Sequence, residues 1–216
     1  MALIDLTHPI APGMTMHPGV PAPRIHDVLT FEDSRSHYAP GTEFRIASVE
    51  LATSTGTYLD APQHRFPNGT DIADLGIDRV ADVPALVVDA TGVSAVGADL
   101  LPQHAPGHAV LIRTDWDRHW GTEEYGRSEH PHLTAAAADQ VVRSGAVLVG
   151  IDSVNIDATT GAERAVHSTL LGHGVLIVEN LTRLNALPSD GALFSAVPLP
   201  VSGAPSFPVR AYARVG

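Results

Sequence analysis

The chain has 216 residues and a mass of 22.7 kDa, with 44% hydrophobic and 17% charged residues, a globular balance that argues against disorder. Acidic residues outnumber basic ones by 24 to 13, for a net charge of -11, and the arginines are scattered singly from Arg24 to Arg214, so nucleic acid is not an expected partner. There is no cysteine and no lysine, which removes disulfides, thiolate chemistry, Schiff bases and a phosphate-loop lysine, and leaves 12 histidines beside carboxylates and hydroxyls for catalysis.

In chain order, Met1 to Leu6 lacks the basic region and long apolar core of a secretion signal, and no apolar run is long enough to cross a bilayer. A cytoplasmic protein without a membrane partner is expected. Short β-branched runs predict strands over 2–6, 44–51, 85–89, 109–113, 146–151, 175–178 and 209–215, several of them continuously apolar as in strands covered on both faces. Helical signals are fewer. Thr134 is a good N-cap for the run from Ala135 to Arg143, and Gly145 a good stop. A second helix is expected over 162–171, closed by Gly172. With 17 prolines and 19 glycines the rest is short elements and ordered loops. The reading is one strand-rich α/β domain over residues 1–216.

The segment from Ser54 to Phe66, Ser-Thr-Gly-Thr-Tyr-Leu-Asp-Ala-Pro-Gln-His-Arg-Phe, concentrates chemistry. If residues 54–60 are extended, the period of two puts Ser54, Gly56, Tyr58 and Asp60 on one face, with an opening at Gly56. Pro62 then stops the ladder and turns His64 toward Asp60. Spacing alone favours a blander alternative, a half-exposed strand whose Asp60 and His64 merely satisfy loop amides. Farther on, His167 falls near the end of the second helix, and Glu179 ends the apolar run Val175 to Val178. A carboxylate at the end of a buried strand needs a partner, a cation or solvent, and Arg183 is a candidate partner. His104 with His108, and His130 with His132, are separated by Pro and Gly and read as surface loops. Trp116 and Trp120 either wall a pocket or pack within a loop. Asp152 and Asp157 follow a buried strand where functional groups are often placed, although capping roles are commoner.

Together these segments resemble the cyclase family, whose best-known members are bacterial kynurenine formamidases and isatin hydrolases. Its signature runs His-x-Gly-Thr-His-x-Asp-x-Pro-x-His. Further matches are Asp5 to Ile10, His17-Pro18-Gly19, Val110 to Trp116, Leu148 to Asp152, His167 with Leu170-Leu171, Ile177 to Leu181, Leu187-Pro188 and Pro208 to Ala211. The resemblance implies a swivelling β/β/α domain assembled as a homodimer or homotetramer, acting on a small-molecule substrate. In the metal-dependent formamidases two signature histidines and the aspartate hold one metal. The aspartate, a later histidine and a glutamate hold the second.

Carried over, the second set is Asp60, His167 and Glu179, and His64 keeps the catalytic histidine position. The two first-site histidines fall on Ser54 and Tyr58, whose neutral hydroxyls are poor zinc ligands. The expectation is therefore one divalent metal, zinc or manganese, at Asp60, His167 and Glu179, or none. Family members with one metal tend to use the first site. His17 stands where formamidases place a tryptophan against the substrate, so kynurenine-type specificity is expected to be lost. Ser54, Phe66 and His17 are the expected substrate contacts, and His64, Tyr58, Asp60 and Glu179 the catalytic set. The implied activity is hydrolysis of an amide or lactam, or the reverse ring closure. A metal-free cyclase or dehydratase using Tyr58 and His64 is the second reading, and a noncatalytic binder the third.

Overall fold

The computed structural model describes residues 1–14 and 19–216. Thr15 to Pro18, and with them His17, lie outside the described residues. The chain forms two compact units, one of residues 1–9 with 53–216 and one of residues 10–52.

In the larger unit, strands β1 (Ala2–Asp5), β4 (Tyr58–Asp60), β5 (Val83–Asp89), β7 (Ala109–Arg113), β9 (Leu148–Ile151), β10 (Leu176–Glu179), β11 (Ala192–Pro198) and β12 (Ser206–Val215) form one sheet in the order β1-β12-β11-β5-β7-β9-β10-β4. β4 also pairs with β12, which closes the sheet into a seven-strand barrel with β1 appended. Strands β5, β7, β9 and β10 run parallel, and their neighbours antiparallel. A small parallel pair, β6 (Ala95–Val96) and β8 (His132–Leu133), lies apart.

The apolar runs divide by parity between two cores. Leu111, Leu148, Leu176, Val178 and Leu59 point into the barrel with Phe194 and Ala211. The alternate residues Val110, Ile112, Val149, Ile151 and Ile177 point outward against helices α2 (Ala135–Ser144) and α3 (Ala165–Gly172). Both faces of these strands are therefore covered, as their lack of polar alternation demands. Helix α2 has the expected bounds, with Thr134 Oγ1 accepting from Ala137 N and Gly145 left-handed at φ 82°. Helix α3 begins at Ala165 and includes Gly172, so it starts later than the sequence suggests. The Asp157 carboxylate accepts from Val166 N and His167 N and sets that start.

The smaller unit is a hairpin of β2 (Arg24–Leu29) and β3 (Ile46–Glu50), with the single turn α1 (Phe31–Ser34) between them. Thr30 caps α1 by accepting from Asp33 N, and Arg45–Asp27 and Arg35–Glu43 ion pairs tie the connection. Ile25, Val28, Ile46 and Val49 are exposed. Among the described residues no helix is long and apolar enough to cross a membrane.

Candidate active site

The site lies on the outward, helix-covered face where β4 meets β10. In the antiparallel register Tyr58 pairs with Glu179, Leu59 with Val178, and Asp60 with Ile177. Paired residues share a face. Leu59 and Val178 fill the barrel, so Tyr58, Asp60 and Glu179 must face the helices. The Tyr58 hydroxyl donates to Glu179 Oε2, and Ile156 N donates to Glu179 Oε1 at 2.7 Å. Helix α3 turns Val166, His167, Leu170 and Leu171 toward the sheet, which brings the imidazole over the carboxylates.

His167 is bonded at Nδ1 and faced by carboxylates at Nε2. Nδ1 lies 2.6 Å from Asp157 Oδ2, and Nε2 lies 3.6 Å from both Asp60 Oδ2 and Glu179 Oε1. His64, in the tight turn Pro62–His64, places Nδ1 3.4 Å from Asp60 Oδ1, and its side chain is 34% exposed. The structure thus brings together Tyr58, Asp60, His64, His167 and Glu179.

Ser54 is not part of this wall. Only Tyr58–Asp60 is extended, because residues 53–54 turn and Gly56 adopts φ 69°, which breaks the expected alternation. Phe66 packs into the outer apolar cluster, and a methyl at Gly172 would sit 3.4 Å from its Cζ. It packs beside Gly172, the last residue of α3. His130 is buried, against the surface reading, because the chain folds it under Ser153 and Thr159. Trp120 stacks on the His8 ring at 3.9 Å, and Trp116 Nε1 donates to Tyr125 O. Asp152 clamps the ends of β7 and β9 by accepting from Thr114 and Asp115. With Asp115 and Asp117 it forms an acidic group already engaged by Arg113, Thr182 and Arg183.

Electrostatics follow from this burial. Burial pushes Glu179 above the usual carboxylate range, aided by the Asp60 charge and opposed by His167, Tyr58 and Ile156 N. Burial resists charging His167, but Asp157, Asp60 and Glu179 outweigh it and push its pKa up to about 10. Burial, with Glu179 and Asp60 beside it, keeps the Tyr58 phenol protonated.

The donor set fits a divalent cation. Both Asp60 oxygens are buried and accept no hydrogen bond. The two 3.6 Å separations exceed hydrogen-bond length, yet neighbouring ligands of a tetrahedral zinc ion lie about 3.4 Å apart when bonds are about 2.1 Å. Asp60, His64 and His167 also offer ligand atoms within 4.8 Å of one another. Asp157 and Ile156 N are the partners that sequence reasoning did not assign. The hint for Asp157 was an acidic residue in the loop that feeds the helix.

A family described as "Putative cyclase" matches residues 4–158. The kynurenine formamidase of Bacillus cereus is 30% identical over 213 residues, covering 98% of this chain and 96% of that protein. Isatin hydrolase A from Labrenzia aggregata, bound to benzyl benzoate, superposes with a TM-score of 0.84 at 23% identity, covering 99% of this chain and 93% of that one. A predicted metal-dependent hydrolase from Bacillus stearothermophilus superposes with a TM-score of 0.74 at 24% identity over 98% and 97% of the two chains. With the match spanning most of its length and a relative at this identity along almost all of it, the chain belongs to the cyclase family and is an enzyme of that family.

Proposed function

We propose that this enzyme hydrolyses an amide or lactam bond of a small molecule, using one divalent cation held by Asp60, His167 and Glu179. The observation that carries the reading is the buried Asp60 carboxylate, bare of hydrogen bonds and faced by His64 and His167. Without a counter-cation, Asp60, Asp157 and Glu179 would crowd one imidazolium in a water-poor site, which is costly. The cation supplies Lewis-acid polarisation of a carbonyl and a more acidic water.

The chain's own residues do the rest. His64, the most exposed of the group, takes a proton from water and returns it to the leaving nitrogen. Asp60 orients its ring. The Tyr58 proton is committed to Glu179, so the phenol fixes that carboxylate and reaches a developing oxyanion only by turning away from it. A relative named kynurenine formamidase and a structural neighbour named isatin hydrolase support aryl amides and lactams as the first substrates to try.

Purified protein should turn over one of a panel of N-formyl arylamines, isatins and cyclic imides, followed by mass spectrometry for addition of water. Elemental analysis should find one tightly held zinc or manganese per chain. Full activity in metal-free protein would favour the metal-independent elimination or cyclisation reading.

The enzyme is proposed to be a homodimer. An isolated two-stranded hairpin is marginal in water, and β2–β3 leaves Ile25, Val28, Ile46 and Val49 uncovered. Light scattering coupled to size exclusion tests this, and a monomer at micromolar concentration overturns it.

A further inference from the structure

We propose that Asp157 is a positioning residue that locks His167 in the one tautomer able to bind a cation. The inference rests on the reading of Asp60, His167 and Glu179 as a cation site.

The loop between β9 and α3 carries Asp157 eight positions before Ala165, the first residue of the helix. A local cap would be expected at position 164, but Arg164 makes no side-chain cap bond there. Asp157 reaches across instead. Its Oδ1 accepts from Val166 N at 2.8 Å and its Oδ2 from His167 N at 3.0 Å. The same Oδ2 lies 2.6 Å from His167 Nδ1, and both side chains are almost fully buried. A Ser or Asp at the adjacent cap position could satisfy the backbone groups, but the imidazole would still lack its partner. The distant carboxylate does both.

An ionised carboxylate only accepts, so Nδ1 carries the proton. Nε2 then faces Asp60 Oδ2 and Glu179 Oε1, 3.6 Å from each, and is the nitrogen that gives up its proton when a cation binds there. A carboxylate behind a histidine fixes ring orientation and raises the basicity of the opposite nitrogen. If Asp157 only capped the helix, removing its charge would change stability and leave the folded site's affinity alone.

The test is Asp157→Asn. The amide is neutral: with its oxygen at the Oδ2 position it still accepts from His167 N and Nδ1, though more weakly, and with its NH₂ there Nδ1 must accept. In either orientation the charge that favours the Nδ1 proton is gone, so when the ring loses one proton the other is free to stay at Nε2, between two carboxylates, where it opposes a cation. Zinc affinity of the folded protein, measured by competition with a chromophoric chelator, should fall about 10–100-fold. In ¹⁵N-edited NMR of metal-free protein, the Nδ1–H resonance of the doubly protonated His167 should lie far downfield in the natural protein, as its charge-assisted bond to Asp157 requires, and be lost or moved upfield in the variant.

A lower melting temperature with unchanged zinc affinity would reduce Asp157 to a cap and overturn the proposal. If the natural protein binds no zinc, the cation reading fails by itself. The NMR result still decides Asp157, since an unchanged Nδ1–H resonance in the variant overturns its role. Should Asp157→Asn not fold, Asp157→Ser takes its place with the same two losses expected.

Discussion

Tyr58 and Glu179 face each other across the β4–β10 ladder, and the phenol donates its proton to the buried carboxylate. This contact joins residues 121 positions apart in the chain. It exists because antiparallel pairing puts directly opposed side chains on one face. Tyr58→Phe keeps the ring and removes only the donor. Glu179 then retains Ile156 N alone among its two donors, and a buried acceptor without its partner costs about 1–3 kcal/mol. The variant should unfold at lower denaturant concentration and lose roughly 10–100-fold in kcat, the range for removing a hydrogen-bond partner of a metal-binding group. Unchanged stability and rate would mean that the carboxylate does not depend on the phenol.

His64→Ala addresses the proton carrier. The side chain is one-third exposed and contributes little to either core, so folding should survive. Activity should fall by about 10²–10⁴-fold. A loss below about tenfold would move the general base to another group, Glu179 first.

His8 offers a pH dependence far simpler than that of the carboxylate group. Its ring is buried against Trp120, and Nε2 has no hydrogen-bond partner. Burial lowers its pKa to about 4, with Asp117 and the Leu181 carbonyl pulling weakly upward. The unfolded chain, with histidine near 6.5, binds the proton more readily than the folded one across this window. Stability is therefore fully present above about pH 6.5 and is lost as pH falls toward 4, by up to about 3 kcal/mol for a shift of this size. Asp152 works in the opposite direction. Burial lifts it to about 7 against its Thr114 bonds, so its protonation favours the fold over the same range. The contribution of His8 is thus read as a difference. Chemical denaturation of the natural protein and His8→Gln between pH 4 and 7 should show the steeper acid-side loss only in the former. Parallel curves would refute the assignment.

Gly150 sits on the barrel side of β9, where an added Cβ would lie 2.6 Å from Leu181 Cδ1 and 2.7 Å from Leu111 Cδ2. Both leucines are fully buried, so neither can swing away. Gly150→Ala should cost about 1–3 kcal/mol by overpacking. Because Leu181 follows Asn180 and Glu179, the displacement should also disturb the Tyr58–Glu179 contact and reduce kcat. A melting temperature moved by less than about 1 °C, against the roughly 2–4 °C per kcal/mol expected at this size, would show that the barrel has room to spare.

Local signals carried some of this architecture. Thr134 and Gly145 bracket α2 because capping is decided within a few residues. The continuous apolar runs of β7, β9 and β10 announce strands buried on both faces. By contrast, β4 is three residues long, and a turn at residues 53–54 and a left-handed Gly56 precede it, so the extended reading from Ser54 fails. The opening of β12, Ser206-Phe207-Pro208, shows no clear strand pattern, yet it pairs with β4 and closes the barrel. Glu179 stood out as a carboxylate on an apolar strand. That its partners are Tyr58 and Ile156 N depends on strand order, which no local window contains. The family pattern singled out Asp60, His64 and His167, and Asp157 stood out as a functional or capping candidate, but that it caps α3 and holds His167 at once shows only in the fold.

The short strand β4 is hydrogen-bonded on one side to β10 and on the other to β12, so Tyr58 and Asp60 ride on the stave that shuts the barrel. That stave cannot shift without opening the ring. Substrate-driven movement must come from the loops, while the carboxylates remain fixed in place. The same arrangement joins inactivation to unfolding. Heating should abolish turnover along the same curve that melts the sheet, and the amides of residues 58–60 should exchange with deuterium only when the whole barrel comes apart.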